Sequence, residues 1–400
     1  MGRVTPPESL SHPGSASPAD PDASRDAPLR VVLAPNAFKG TLTAVEACAA
    51  MTEGVHRVAP DAVVDAAPIA DGGDGSVDAF VQAGFIRRSV VTRGPTGSTV
   101  QAAYATDGDV AVVELADACG MGRLPDGRLA PMESSTLGLG DAIRAALDDR
   151  PREVIVCIGG SASTDGGAGM LVALGARLLD SDGEELSPSG AALGRVAVID
   201  ASELDPRLLD VRLVVAADVD SPLTGPRGAA EVFSPQKGAS PAQVAVLDAA
   251  LEHWALLLAD TFGHDVAEVP GAGAAGGTAS ALLAVGATLE PGFEVVARVT
   301  GLHERIADAD AVITGEGRLD GQSALGKGVG GVVAAARTDG VPVLVVCGEI
   351  ALSAQERDHW GITGYAELAS FADSEAEARS HASLLLATAT AAALAEWRRV

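Results

Sequence analysis

The sequence predicts an α/β protein of two domains with Gly-rich loops at its strand ends. Short apolar runs such as Val154–Ile158 alternate with stretches of helical periodicity along most of the 400 residues. Most runs end in a cluster of Gly, Ser, Thr and Asp instead of a two-residue hairpin turn, as in open parallel sheets that bind ligands beyond their strand ends. Aromatic residues are only 3% of the chain while hydrophobic residues are 47%, which suits close helix-on-sheet packing better than a β-sandwich.

The elements follow in chain order. Residues 1–28, rich in Pro, Ser, Asp and Ala without periodicity, read as a disordered tail. A strand over 29–35 runs into Asn36-Ala37-Phe38-Lys39-Gly40, and Thr43 with Glu46 is spaced as a capping box for the helix that follows. A second strand over 62–69 ends in Asp71-Gly72-Gly73-Asp74-Gly75-Ser76, with a helix from Val77. From 87 to 114 the period changes to two, with turn signals at Gly94–Gly97 and Asp107-Gly108. This predicts an antiparallel meander and a domain boundary near residue 90. Ser134, Ser135 or Thr136 caps the next helix. The strand 154–158 then opens a loop of Gly159, Gly160, Ser161, Ser163, Thr164, Asp165, Gly166 and Gly167, and Met170, Leu171, Leu174, Leu178 and Leu179 recur behind it at helical spacing. A strand within 211–223 carries Asp218 and Asp220 at its end, Gln236 and Lys237 follow, and a long amphipathic helix comes next. The strand 311–314 leads to Glu316, Arg318 and Asp320, the strand 342–348 follows, and the chain closes in a helical region from about Ser374.

Composition narrows the function. A net charge of −26 without a basic cluster argues against nucleic acid as a partner. The four cysteines stand far apart in or beside apolar runs, which argues for a reducing compartment and against a zinc site. The first residues lack the apolar core of a signal peptide, and the uncharged stretch 269–289 is broken by Pro270 and five glycines. A cytoplasmic protein without membrane contact is expected; a homodimer is compatible with the sequence but not dictated by it.

The chain has 28 basic residues but only three lysines, Lys39, Lys237 and Lys327, each followed by glycine. Arginine fills the generic surface role, so the remaining lysines are expected where a compact ammonium meets a phosphate or carboxylate. The loop 159–167 offers backbone N–H groups to an anion, with Gly159, Gly160, Ser161, Gly166 and Gly167 as binding residues. Gly271-Ala272-Gly273-Ala274-Ala275-Gly276 matches a dinucleotide fingerprint by letter but lacks a strand before it. Gly321 to Lys327 has P-loop spacing, but Gly328 stands where a Ser/Thr hydroxyl is required, which argues against a Walker-type NTPase. No histidine falls in a Gly/Asp loop, so a carboxylate is the expected general base. Asp165 is the candidate, against a plain helix cap; Asp71 and Asp74 are the metal candidates; Arg318 is expected to grip a carboxylate or phosphate, against a local ion pair. These are ingredients of phosphoryl transfer. A Gly-rich NAD-binding oxidoreductase and a non-catalytic nucleotide- or organic-acid-binding protein remain as alternatives.

The succession APNAFKGTLTA, PIADGGDGS, GGSASTDGGAGMLVALGARLLD, ADVDSPLTGPRGAAEVFSPQKGAS, GAGAAGG and VITGEGRLDGQSALGKG resembles the bacterial glycerate kinases of the class I type, from about Leu29 to the C-terminal helix. Asn36-Ala37 replaces the usual Asp-Ser. The resemblance implies phosphorylation of glycerate by ATP with Mg²⁺, 2-phosphoglycerate being favoured over 3-phosphoglycerate. It also implies that one domain, Rossmann- or flavodoxin-like and built from 29–90 plus 295–400, is interrupted by a second over 91–294, with the active site between them. Lys39, Lys237, Arg318 and Asp165 are the expected catalytic residues. Gly276, Gly277, Glu316, Asp320 and Lys327 join the binding set.

Overall fold

The computed structural model describes residues 27–70, 72–321 and 328–399. Most of the expected tail, together with Asp71 and Lys327, lies outside the described residues. Two sheets dominate. One is wholly parallel, with strands in the order Gly364–Glu367, Val343–Cys347, Ala311–Thr314, Arg30–Leu33 and Val63–Ala66. The other runs Thr288–Glu290, Arg212–Ala216, Glu153–Cys157, Val110–Glu114, Thr99–Thr106 and Ile86–Arg93. Its first four strands are parallel, and its last three form the antiparallel meander. The chain thus leaves the first sheet after Ala66, builds the second, and returns to the first at Ala311.

The parallel strands read as unbroken apolar runs because both their faces are covered. In Glu153–Cys157, Val154 and Val156 face a core shared with Leu139, Ile143 and Trp254, while Ile155 and Cys157 face one shared with Phe80 and Val295. The expected boundary at residue 90 falls inside Ile86–Arg93, which pairs along its whole length with Thr99–Thr106. The helix Gly292–Thr300 spans the expected boundary at 294: Phe293 and Ala297 pack on the first sheet's core, Val295 and Val296 on the second's.

The capping boxes at Thr43/Glu46 and Ser240/Gln243 start Ala44–Val58 and Pro241–Phe262. The latter is long and apolar enough to cross a bilayer by length and composition, but Leu247, Leu251, Trp254 and Leu258 are buried in the second sheet's core. Leu178 and Leu179, expected on a helix, lie instead in the strand Arg177–Leu179, paired with Val198–Asp200. The helix stops at Ala173 because Gly175 turns the chain at φ +112°, where a Cβ would stand 2.1 Å from the Glu203 carbonyl.

Candidate active site

Parallel strands of both sheets end at one cleft of about 890 Å³. The first sheet contributes residues from Asn36 to Glu46 after Arg30–Leu33, and Ile69 with Gly72–Gly75 after Val63–Ala66. From the second come Ile158–Ser161 and Ala217–Val219, while Gln236, Lys237, Ala274 and Ala275 close the wall. Loops at the carboxyl ends of parallel strands present backbone N–H groups and side chains to a ligand, so the site follows from the topology.

Two glycine loops interlock across the cleft floor. Gly159 N–H donates to the Gly72 carbonyl at 2.9 Å, and a Cβ at Gly159 would lie 2.5 Å from Gly73 Cα. Gly160 sits at φ +72°, and a Cβ there would lie 2.4 Å from Asp74 Oδ1. Glycine is therefore required for the backbones to meet. The exposed Asp74 rides on this contact. Beneath it is a residue that sequence reasoning missed: the buried Glu114 accepts from Gly75 N–H and Val77 N–H, both at 3.0 Å. Burial raises its pKa to about 7, with Asp74 and Asp117 adding to the rise and the two N–H bonds opposing it. Its only signal in the sequence was a carboxylate closing an apolar strand.

Lys237 is 3% exposed. Its Nζ lies 2.7 Å from Ser161 Oγ and also donates to the Ser163 carbonyl. Burial depresses its pKa to about 7, opposed by the field of Asp165. Gly276 makes the room: at φ +66°, a Cβ there would stand 2.2 Å from the Ser163 carbonyl oxygen and 3.0 Å from Lys237 Nζ.

Asp165 requires a correction. It is fully buried and absent from the cleft wall. Its Oδ2 accepts from Thr136 N–H and Oγ1–H, each at 2.8 Å, from Gly169 N–H at 3.1 Å and from Ser135 Oγ–H at 3.3 Å. Its Oδ1 accepts from Ser163 Oγ–H at 2.9 Å. A carboxylate so engaged pins the loop to the starts of two helices, Leu137–Asp148 before it and Ala168–Ala173 after it. Thr136, expected only as a cap, is a hub: its Oγ1 also accepts from Met170 N–H at 3.0 Å.

Of the other expected site residues, the cleft gathers Lys39, Gly159, Gly160, Ser161 and Asp74. Arg318, Glu316 and Asp320 are not on its wall. Arg318 is 58% exposed and pairs with Glu349 at 2.8 Å, a partner 31 residues away, while Asp320, one of the two neighbours expected in a local ion pair, lies 3.8 Å away. Gly166, Gly167, Gly276 and Gly277 are buried and serve packing: a Cβ at Gly166 would lie 2.5 Å from Trp254 Cδ1, and Trp254 Nε1–H donates to the Gly166 carbonyl at 2.9 Å. Gly328, at φ +48°, comes to Asn36, where a Cβ would lie 3.1 Å from Nδ2. Among the described residues no three His, Cys, Asp or Glu side chains cluster closely enough to cage a metal. Asp74 and Asp218 both line the cleft, a donor set of hard oxygens that fits a cation keeping most of its waters.

Strand-end glycine loops facing a cleft lined by two lysines, three aspartates and one glutamate define an α/β protein built to hold an anionic small molecule, with carboxylates at hand for a cation. The profile of the glycerate kinase family matches residues 31–398, and the chain belongs to that family. It is 46% identical over 324 residues to a glycerate kinase of Halalkalibacterium halodurans, covering 80% of this chain and 85% of that protein. It is 42% identical over 327 residues to the glycerate 2-kinase of Escherichia coli, covering 80% and 86%. A crystal structure assigned as a glycerate kinase 2, from Salmonella typhimurium LT2, superposes with a TM-score of 0.80 at 38% identity, covering 94% of this chain and all of that one.

Proposed function

We propose that this kinase transfers the γ-phosphoryl group of ATP to a hydroxyl of glycerate in the cleft, giving ADP and phosphoglycerate. The observation that carries the reading is the convergence of Lys39, Lys237, the Gly159–Ser161 loop and Asp74 on one cavity from two sheets. Phosphoryl transfer depends on positioning and charge neutralisation more than on a potent protein nucleophile. Lys39, exposed on the wall, meets the phosphates or the glycerate carboxylate as a point charge. Gly160 and Ser161 supply N–H groups for phosphate oxygens, the Gly159 N–H being used on the Gly72 carbonyl that fixes the loop. Mg²⁺, when bound with the nucleotide, supplies further neutralisation of the phosphates; Asp74 and Asp218 would hold it, with Asp71 as the remaining proposed donor. The cleft belongs to the proposed division of the chain into a discontinuous domain, 29–90 plus 295–400, and an inserted one, 91–294. A cytoplasmic location is supported by four buried cysteine thiols.

Transfer to the 2-hydroxyl is favoured, following the glycerate 2-kinase relative. Phosphorus NMR of the product tests both parts at once. A phosphate on C2 couples to one proton and gives a doublet; one on C3 couples to two and gives a triplet. No ADP or phosphoglycerate from glycerate, ATP and Mg²⁺ would refute the reading, and a triplet would reassign the hydroxyl.

A further inference from the structure

Asp165 is too enclosed to take the substrate proton, and the cleft offers another acceptor. We propose that Ser161 and Lys237 remove that proton as a relay, with Ser161 Oγ facing the substrate hydroxyl and the Lys237 amine behind it. This rests on the reading that glycerate and ATP meet in the cleft.

Both oxygen partners of Lys237 Nζ can be engaged by an amine, and of the two residues that supply them Ser161 is the one that stands on the cleft wall. Among the described residues Lys237 contacts no carboxylate directly: its Nζ has Ser161 Oγ at 2.7 Å and the Ser163 carbonyl as partners. A neutral amine matches that pair, since an N–H donates to the carbonyl while its lone pair accepts from the Ser161 hydroxyl. The Ser161 oxygen then keeps a lone pair for a third group, and both residues line the cleft. An ammonium would instead be held buried with Asp165 as the counter-charge acting on it, at a distance. The segments facing Nζ, 159–164, 234–236 and 274–277, carry no ionisable side chain. Asp165 is the group whose field raises the Lys237 pKa, acting through the loop, and Lys39, Glu46, Asp74, Asp78 and Asp218 are the other charged groups on the cleft wall. Burial of Nζ makes the neutral form accessible near neutral pH.

The step balances. The substrate O–H bond breaks as its oxygen bonds to the γ-phosphorus, and the bridging β–γ P–O bond breaks to release ADP. The substrate proton passes to Ser161 Oγ while the Ser161 proton passes to Lys237 Nζ, which becomes an ammonium. That ammonium loses its proton to water when the products leave. Ser161 is the catalytic residue here, and Lys237 acts through it.

With only three lysines in the chain, the test can read Lys237 directly. In full-length protein labelled with ¹³Cε-lysine, one resonance should titrate with a midpoint near 7 and vanish in Lys237→Met, a near-isosteric change suited to a buried site. In the wild type, kcat/KM should fall on acidification with the same midpoint, because the protonated amine no longer accepts. Ser161→Ala should lower kcat by ~10²-fold or more, with the glycerate KM little changed and the lysine titration still present. Lys237→Met should lose a similar factor together with the acid limb, while retaining ATP binding by calorimetry. A Lys237 resonance that stays fully charged to pH 9, an acid limb that survives in Lys237→Met, or wild-type kcat in Ser161→Ala would each overturn the relay and leave the kinase reading standing. A wild-type protein that makes no phosphoglycerate at any pH would overturn both, since the relay would have no hydroxyl to serve.

Discussion

Asp165→Asn separates a structural carboxylate from a catalytic one. The side chain accepts five hydrogen bonds, four of them on Oδ2. An asparagine placed with its carbonyl oxygen at the Oδ2 position keeps those four as neutral bonds. Its amide then points at Ser163 Oγ, which can rotate and accept. The second amide N–H and the Ser163 hydroxyl hydrogen lose a defined acceptor, and each bond on the oxygen loses its charge assistance, which is worth about half its strength. With net hydrogen bonds to charged groups at about 1.5–3 kcal/mol and neutral ones near 1, the four together cost on the order of 2–8 kcal/mol. The chain should still fold, with a thermal midpoint several degrees lower. Removing the negative charge also removes the one field that raises the Lys237 pKa, so the acid limb of kcat/KM should move to lower pH. At pH 8, where Lys237 is already neutral, kcat should stay within about tenfold of wild type. Differential scanning fluorimetry and a pH–rate profile measure both effects. A loss of 10²-fold or more in kcat at pH 8, with the fold intact, would refute the structural role and restore Asp165 as the base.

Four further outcomes follow. Lys39→Ala should cost at least ~10-fold in kcat/KM in steady-state assays, because an exposed ammonium on the cleft wall is lost; an unchanged value removes Lys39 from the site. Arg318→Lys should stay within about threefold of wild type, since the exposed pair with Glu349 needs charge more than a planar fork; a tenfold loss would bring the guanidinium into the reaction. Gly276→Ala forces a side chain to φ +66° and toward the Ser163 carbonyl, and should destabilise by about 2–3 kcal/mol in denaturant titration while shifting the Lys237 resonance. Glu114 has a folded pKa raised to about 7 from 4.5, so the folded state binds the extra proton and stability falls as pH rises between those values. Glu114→Gln lacks that fall, and its thermal midpoint should gain on the wild type from pH 5 to pH 8; a constant difference would refute the shift.

What was legible in the sequence was periodicity and crowding. Val154–Ile158 and Val343–Cys347 announce strands because both faces are buried, and the meander over 86–114 announces itself because its period is two. The sequence also shows that glycines crowd at strand ends, but not what each glycine meets. Gly160 meets the cleft and Asp74; Gly166 meets Trp254, 88 residues on, and Gly276 meets Ser163 and Lys237. All three have positive φ, so the backbone demand is the same and only long-range packing separates a ligand loop from a structural one. The enclosure of Asp165 was hidden for the same reason: its strongest partner, Thr136, lies 29 residues upstream, where it reads as a helix cap. The pairing of Arg318 was hidden because Glu349, on a neighbouring strand, lies outside its local window. Lysine usage is a different kind of signal. When arginine supplies nearly all of the surface positive charge, a lysine stays where a group that can lose its proton has a use. Arginine cannot do that near neutral pH, and Lys237 is buried where the proton is easily lost. The count of three in 400 residues pointed to compact ammonium groups set against anions; the lowered pKa that burial gives Lys237 was not legible in it.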